Sequence, residues 1–364
     1  MKIAQLISNL SYGGAEKQLT YLCDGLRQHG HSVTIASMRS GGELTDQFRQ
    51  RFEQVREFGM RGPLDWSAYF RVRRWLKQEA PDLLHTHLFK ADVYGSIAAR
   101  SMKIPVISTK HNEDPYLKNP FVGWLARRAA QNCERIVAVS NAVRAHLIQI
   151  ARLAETRIQV IPLGIPISDS NRVSQRSAES SVRFGIIARL VEQKGHRVLM
   201  QAFRDAKESL SHIQLSIFGG GPLEEDLRKL AQSYGLEDCV RFHGVVLDSS
   251  QLYDVDVVVL PSLWEGAGLS LLEAMSYGIP VIASKVGGIP ELVSQDCGLL
   301  VPSGDVSALS AAILKLAQQE DLRKRMSEHC RKHVRKFDFQ NTLDATLRLY
   351  KEVLDGPSRA TEAK

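Results

Sequence analysis

Residues 259–293 read VLPSLWEGAGLSLLEAMSYGIPVIASKVGGIPELV. An apolar strand, Val257–Leu260, runs into a glycine-broken loop, Gly266-Ala267-Gly268. A helix follows, and Pro280–Ala283 forms a second apolar strand. Strand, helix and strand in immediate succession are the unit of a parallel sheet covered by helices. Two glutamates stand in this unit with seven residues between them, Glu265 on the loop and Glu273 in the helix. At a rise of about 1.5 Å per helical residue, their carboxylates lie about 12 Å apart or less. That is the reach from a sugar ring across a diphosphate to a ribose. The backbone N–H groups of Gly266–Leu269 can approach an anion at the helix N-terminus. One carboxylate for sugar hydroxyls, an amide-lined anion hole and one carboxylate for a ribose diol describe a nucleotide-sugar site.

The same alternation extends in both directions. Ile3–Ile7 reads as a strand, followed by Gly13-Gly14 and a helix from about Ala15 to Gly30. Further strands are expected at Ser32–Ala36, Leu83–His87, Pro105–Ser108 and Ile136–Val139. Asn171–Ser181 is polar and without periodicity, as an interdomain linker is. Beyond it the pattern resumes, with strands at Arg183–Ile187, Ile213–Phe218, Val240–His243, Val257–Leu260, Pro280–Ala283 and Gly298–Val301. Leu309–Lys336 is mostly helical, Phe339–Leu354 is amphipathic, and Gly356–Lys364 is a loose tail. Two α/β halves of similar size follow, each an open parallel sheet that binds ligands beyond the carboxyl ends of its strands.

Charged and small residues cluster at those strand ends. Arg189 and Lys194 are five positions apart beside Gly195. A planar guanidinium and a compact ammonium can clamp a diphosphate and meet the charge that grows on it when a glycosidic bond breaks. Ser11-Tyr12-Gly13-Gly14-Ala15-Glu16 opens the first helix and allows close approach of a ligand, but the third glycine of a dinucleotide fingerprint is absent. His111, just past a strand, can hydrogen-bond a sugar hydroxyl or shuttle a proton. His85 and His87 share a strand face. They can either chelate a metal or line the cleft as polar strand-end residues, and the second is the expectation. Asp254-Val255-Asp256 has metal-binding spacing but leads into an apolar strand, so no metal is expected there.

The Glu-x7-Glu block, with Ala-Met-Ser-Tyr-Gly-Ile-Pro-Val-Ile-Ala (274–283) and Gly-Gly-Ile-Pro-Glu (287–291), resembles the retaining glycosyltransferases of family 4, glycosyl transferase group 1. The resemblance runs from Gly13 to about Phe339. It implies the GT-B fold: an α/β protein of two Rossmann-like, doubly wound parallel-sheet domains facing across a cleft. The acceptor domain is expected at 1–170 and the nucleotide-sugar donor domain at 171–338, with a last helix at 339–355 packing back on the first. It implies a retaining, metal-independent hexosyltransferase that uses a UDP- or GDP-sugar as substrate and needs no cofactor. By resemblance, Glu265 contacts the donor sugar and stabilises positive charge at the reacting carbon. Glu273 holds the ribose, and Arg189 and Lys194 neutralise the diphosphate. The amides of Gly266, Ala267, Gly268 and Leu269 bind phosphate or sugar. Gly219 and Gly221, in Gly219-Gly220-Gly221-Pro222, resemble a turn near the base or diphosphate, and the main chain of Val240–Gly244 meets the base. His111, with Gly13 and Gly14, completes the site from the first domain. Many relatives carry a bulky residue where this chain has Ala267, which bears on the donor's identity.

Size and composition agree with a soluble or peripheral two-domain protein: 364 residues, 44% hydrophobic. Five scattered cysteines, without CxxC or Cys/His metal spacing, read as reduced buried thiols in the cytoplasm. The N-terminal Ile3–Ile7 run is too short for a signal peptide, and no run is long enough for a membrane span. Residues 1–165 hold 23 Lys+Arg against 14 Asp+Glu, a balance of +9, while the remainder carries −2. A basic first half suits a lipid-linked glycan acceptor and peripheral contact with an anionic membrane, as in cell-surface polysaccharide or lipopolysaccharide synthesis, with no nucleic acid as partner. Trp66–Lys77 and Pro120–Arg128 mix aromatic and basic residues. Core packing of the aromatics is expected, and an interfacial helix is the alternative. Three other functions share these features: a sugar phosphorylase, a sugar-nucleotide epimerase and a non-catalytic nucleotide-sugar binder.

Overall fold

The computed structural model describes residues 1–62, 65–167, 181–210, 212–246 and 254–356. The chain divides into two compact units, Met1–Gly164 with residues from Phe339 onward, and Ile165–Asp338. The expected linker, the 170/171 boundary and the tail lie outside the described residues, apart from Ser181 and Gly356.

Unit 1 is built on seven parallel strands, β1 (Lys2–Ile7), β2 (Ser32–Ser37), β3 (Val55–Glu57), β4 (Leu83–His87), β5 (Val106–Lys110), β6 (Arg135–Ala138) and β7 (Ile158–Val160), in the order β3-β2-β1-β4-β5-β6-β7. The two three-residue edge strands, β3 and β7, are too short to show a period in sequence. The connections after β1 run one way along the sheet and those after β4 the other way, which puts helices on both faces. Helix α1 (Gly14–Gln28) buries Leu19, Leu22, Cys23 and Leu26, a helical stripe, against the sheet. On the other face α4 (Phe89–Arg100) packs between α3 (Trp66–Glu79) and α5 (Pro120–Gln131), and the short helices α2 (Thr45–Arg51) and α6 (Asn141–Gln149) follow β2 and β6. Asp65 accepts a hydrogen bond from the Ala68 amide at the start of α3, and Asn119 caps α5 in the same way, with Pro120 at the first helical position.

The last helix, α13 (Phe339–Asp355), belongs to unit 1. Its buried face is Phe339, Leu343, Thr346, Leu349 and Tyr350, and the four apolar and aromatic members join Ile3, Leu22, Leu26, Leu83 and Ile107 in one core. Gly25 makes this possible, since a Cβ there would stand 2.6 Å from Leu343 Cδ2.

Unit 2 is a six-stranded parallel sheet of β8 (Val182–Ile187), β9 (Ile213–Phe218), β10 (Val240–Gly244), β11 (Val257–Leu260), β12 (Val281–Ser284) and β13 (Gly298–Val301), in the order β10-β9-β8-β11-β12-β13. Strands β11 and β12 are buried along their whole length, as continuous apolar strands covered on both faces are. Helices α7 (His196–Ser209), α8 (Glu224–Ser233), α9 (Leu269–Ser276), α10 (Ile289–Leu292), α11 (Val306–Gln318) and α12 (Glu320–His333) cover it. All five cysteines are buried and unpaired. Among the described residues no helix is long and apolar enough to cross a membrane.

Candidate active site

In unit 2 the strand order reverses between β8 and β11, and open α/β sheets bind ligands at such a switch point. The loops beyond these two strands carry the predicted residues. After β8 come Arg189, exposed, and Lys194, at the end of a 3₁₀ turn (Glu192–Lys194). After β11 comes Glu265, which is buried. Lys194 Nζ lies 2.5 Å from Glu265 Oε2, and the Ser262 hydroxyl donates to the same oxygen at 3.1 Å. The two loops are also tied through Gln193, whose side-chain amide donates to the Trp264 carbonyl at 3.0 Å and whose own carbonyl accepts from the Leu263 amide at 2.7 Å. The charged pair therefore stands on a doubly braced backbone.

Four glycines set the spacing of these loops. A Cβ on Gly195 would meet Pro261 O at 2.0 Å, and one on Gly287 would meet Glu265 O at 1.6 Å. On the other side, Gly219 approaches Ala188 O and Gly221 approaches Leu190, the neighbours of Arg189. All four adopt positive φ, open to glycine and strained for other residues. Glu273 is buried on α9, and Gly266–Leu269 form the buried turn that opens this helix, with Gly268 at φ 93°. Sequence reasoning found Arg189, Lys194, Gly219, Gly221, Gly266, Ala267, Gly268 and Glu265 on these loops, and Leu269 and Glu273 on α9. It missed the bracing by Gln193, Ser262 and Gly287. A glutamine beside the lysine and a serine after Pro261 carry no distinctive spacing.

Asp254 and Asp256 lie at the opposite, amino-terminal edge of this sheet. Asp256 accepts from the Arg183 amide at 2.8 Å, and Asp254 lies 3.6 Å from the Arg183 guanidinium. They hold the strand ends of β8 and β11 together. His243 stacks on Phe218 with centroids 4.5 Å apart, and the Gly219 amide donates to Gly244 O, so β9 and β10 end together.

In unit 1 the order reverses between β1 and β4. The Gly13-Gly14 turn follows β1 and opens α1, and a Cβ on Gly13 would stand 2.6 Å from the Glu16 carboxylate. His111 follows β5. His85 and His87 do not line a cleft as expected: both are fully buried, because β4 is central and α13 closes over it. Their rings lie 4.2 Å apart, yet their nitrogens go to different partners. His85 Nδ1 faces the Tyr350 hydroxyl at 2.6 Å, and its Nε2 faces Thr109 Oγ1 at 2.7 Å. His87 Nε2 faces Gln5 Oε1 at 2.9 Å, and its Nδ1 faces His111 Nε2 at 3.1 Å. The Gln5 amide donates to the Tyr350 hydroxyl at 3.2 Å. No lone pairs of His85 and His87 converge on one point, so the pair is a hydrogen-bond relay and not a chelate. Burial holds the His85 ring down at about 3 and His111 at about 4, and pushes His87 well below its ordinary range, so all three are neutral at pH 7. On the opposite face of β4, Asp92 accepts hydrogen bonds from Thr86 and Ser108 and pairs with Lys110.

The aromatic stretches differ from their expectation. Trp66 is 73% exposed and Phe70 65%, and on α5 Phe121 is 58% exposed and Trp124 51%. The buried stripe of α3 is Ala68, Val72, Trp75 and Leu76, which turns positions 66 and 70 outward.

Two sequence-family models match the chain in succession: Glycosyltransferase Family 4 over residues 12–169 and Glycosyl transferases group 1 over residues 168–333. The chain is 28% identical over 366 residues to a phosphatidyl-myo-inositol mannosyltransferase of Mycobacterium leprae, covering 96% of each protein. It is 35% identical over 204 residues to the amylovoran biosynthesis glycosyltransferase AmsK of Erwinia amylovora, covering 53% of this chain and 50% of that one. In structure it is similar to Anabaena HepE, solved with UDP and glucose, at a TM-score of 0.85 and 23% identity over 97% of this chain and all of that one.

Proposed function

The chain belongs to glycosyltransferase family 4, and from that premise we propose that it transfers a sugar from a UDP- or GDP-sugar to an acceptor hydroxyl, with retention and without a metal. The observation that carries this reading is the Lys194–Glu265 pair held at the β8/β11 switch point, with Arg189 on the same loop as the lysine. As the bond from the anomeric carbon to the β-phosphate oxygen breaks, negative charge grows on that oxygen and meets Arg189 and Lys194. Positive charge grows on the carbon and meets Glu265 and the sugar hydroxyls it orients. The acceptor oxygen adds to the same face, and its proton passes to the departing phosphate, which leaves as the nucleoside diphosphate. Glu273 takes the ribose diol, and the turn at Gly266–Leu269 offers its amides to phosphate or sugar. In unit 1, His111 and the Gly13-Gly14 turn meet substrate.

Calorimetric titration with UDP and GDP tests this. One of them is expected to bind wild type, and Glu273→Ala is expected to weaken that binding roughly 10- to 100-fold, the worth of hydrogen bonds to a charged group. Full affinity in the variant removes the ribose assignment. Absence of binding by either nucleotide to wild type overturns the nucleotide-sugar reading.

The acceptor we assign is a lipid-linked glycan at the inner face of an anionic membrane, for a cell-surface polysaccharide. Among the described residues, six of the seven exposed large hydrophobics, Trp66, Phe70, Ile97, Tyr116, Phe121 and Trp124, lie on the α3–α4–α5 layer of unit 1 or on the turn before α5. Arg73, Arg74 and Lys77 are exposed on α3 beside them. Aromatic side chains among basic ones are what an interfacial surface needs. The parallel connections put the N-termini of α3 and α5, with Trp66 and Phe121, at the carboxyl edge of the sheet. Co-sedimentation with phosphatidylglycerol vesicles is expected to exceed that with phosphatidylcholine. The combined Trp66→Ala, Phe70→Ala and Trp124→Ala variant is expected to lose at least about tenfold in partitioning, since one buried aromatic contributes about 1.5–3 kcal/mol. Wild-type protein that leaves both vesicle types unbound overturns the membrane assignment.

A further inference from the structure

The orientation of the Gln5 amide gives the relay in unit 1 its direction. Each of its three neutral rings carries a single N–H. Gln5 Oε1 can only accept, so the His87 proton is on Nε2. That leaves a lone pair on His87 Nδ1, and His111 must donate to it from Nε2. His111 Nδ1 is then unprotonated. It is buried and has no hydrogen-bond partner among the described residues. An unmet acceptor is the less costly of the two possibilities there, since orphaned buried N–H groups are the rarer. On its other side, Gln5 donates to the Tyr350 oxygen, the Tyr350 hydroxyl donates to His85 Nδ1, and His85 Nε2 donates to Thr109. The Gln5 amide is the pivot: turned over, it reverses every bond and converts His111 Nδ1 from acceptor to donor. Tyr350, brought to β4 by the last helix, can accept from the amide nitrogen or donate to the amide oxygen, so the direction is decided at the other end, where turning would bury an N–H on His111 Nδ1 without an acceptor. Leu88, the residue after His87, adopts φ 69° and ψ 156°, a conformation that favours glycine and is characteristic of functional sites.

We propose that Gln5, Tyr350 and His87 are positioning residues that hold His111 in its Nε2–H tautomer, so that Nδ1 accepts a hydrogen bond from a substrate hydroxyl. The identity of the substrate rests on the glycosyltransferase reading, whereas the tautomer does not. A substrate with a hydroxyl at this point is favoured over one with a carboxylate or methyl there, because neither of those can donate.

Long-range ¹H–¹⁵N spectra of the full chain labelled on histidine test the proposal, with His111 assigned by the signals lost in His111→Asn. Wild type is expected to show His111 and His87 as Nε2–H tautomers. Tyr350→Phe frees the Gln5 amide, and the His87 and His111 shifts are expected to move toward averaging of the two tautomers. In the same variant kcat/KM falls by the fraction of molecules left in the competent form, roughly two- to tenfold. Should that variant fail to fold, Gln5→Glu gives an independent outcome. A carboxylate accepts from both His87 and Tyr350, so His85 switches to its Nδ1–H tautomer while His87 and His111 keep theirs. An Nδ1–H tautomer of His111 in wild type, or shifts unmoved by Tyr350→Phe, overturns the proposal. The expected tautomer in a protein that binds no nucleotide would instead overturn the glycosyltransferase reading and leave the relay standing.

Discussion

Lys194→Ala is expected to lower kcat by about 10²- to 10³-fold, the usual cost of removing one preplaced donor from charge that develops in a transition state. It should also destabilise unit 2. Lys194 and Glu265 are both largely buried, and among the described residues alanine at 194 leaves the carboxylate with the hydroxyl of Ser262, on its own loop, as its remaining hydrogen-bond partner. Removing one member of a buried pair costs about 3–5 kcal/mol, and the partial exposure of this pair places it near the lower end. The two effects separate in a double-mutant cycle. Lys194→Ala/Glu265→Ala should recover much of the stability, since no unpaired carboxylate remains, and none of the activity. Lys194→Arg should recover stability only in part, because a planar fork does not occupy the position of a point charge 2.5 Å from Oε2. Stopped-flow turnover at saturating donor, with denaturant unfolding of wild type, Lys194→Ala, Glu265→Ala, the double variant and Lys194→Arg, checks both. Turnover that survives Lys194→Ala at the wild-type rate sinks the diphosphate role.

Much of this arrangement was legible in the chain because it is local. A strand, a glycine turn and a helix lie within a few residues of one another, so β11, the Gly266–Gly268 turn and Glu273 on α9 followed from periodicity and loop chemistry alone. The strand end after β8, with Arg189 and Lys194, was readable for the same reason. What was not legible depends on residues far apart in sequence. The alternation of His85 and His87 along β4 showed that they share a face, but not that Tyr350, 265 positions beyond His85, covers it. A tyrosine on the apolar stripe of the last helix was the one available signal, because a buried phenol needs a partner. Aromatic residues are usually core, so the sequence alone puts Trp66 and Phe70 inside. Only the phase of the α3 stripe, set by Ala68, Val72 and Leu76, turns them outward. The edge strands β3 and β7 escaped because three residues define no period.

Gly287 is the strongest case of a site residue that local reading could not assign, and its replacement carries the second large expected effect. The sequence shows two adjacent glycines, Gly287-Gly288, before the Ile-Pro-Glu turn. It does not show that the space where a Cβ would sit on Gly287 is filled by the Glu265 carbonyl, 1.6 Å away. Gly287 also stands at φ 50°. Alanine there meets two penalties: about 1–2 kcal/mol for the left-handed backbone and about 1–3 kcal/mol for overpacking. The second cannot be relieved by a rotamer, because the obstacle is backbone. The Glu265 loop must move, and a shift of about 1 Å in a positioned group costs on the order of 10²-fold in rate. Gly287→Ala is therefore expected to lose about 3 kcal/mol of stability and at least about 10²-fold in kcat/KM. Gly235→Ala is the matched control. Gly235 has φ 61° and nothing within 4 Å of its Cβ position. It should show the backbone penalty alone, with turnover unchanged. If the two variants lose activity equally, the effect belongs to glycine conformation in general, and the close approach of Gly287 to Glu265 does not set the site.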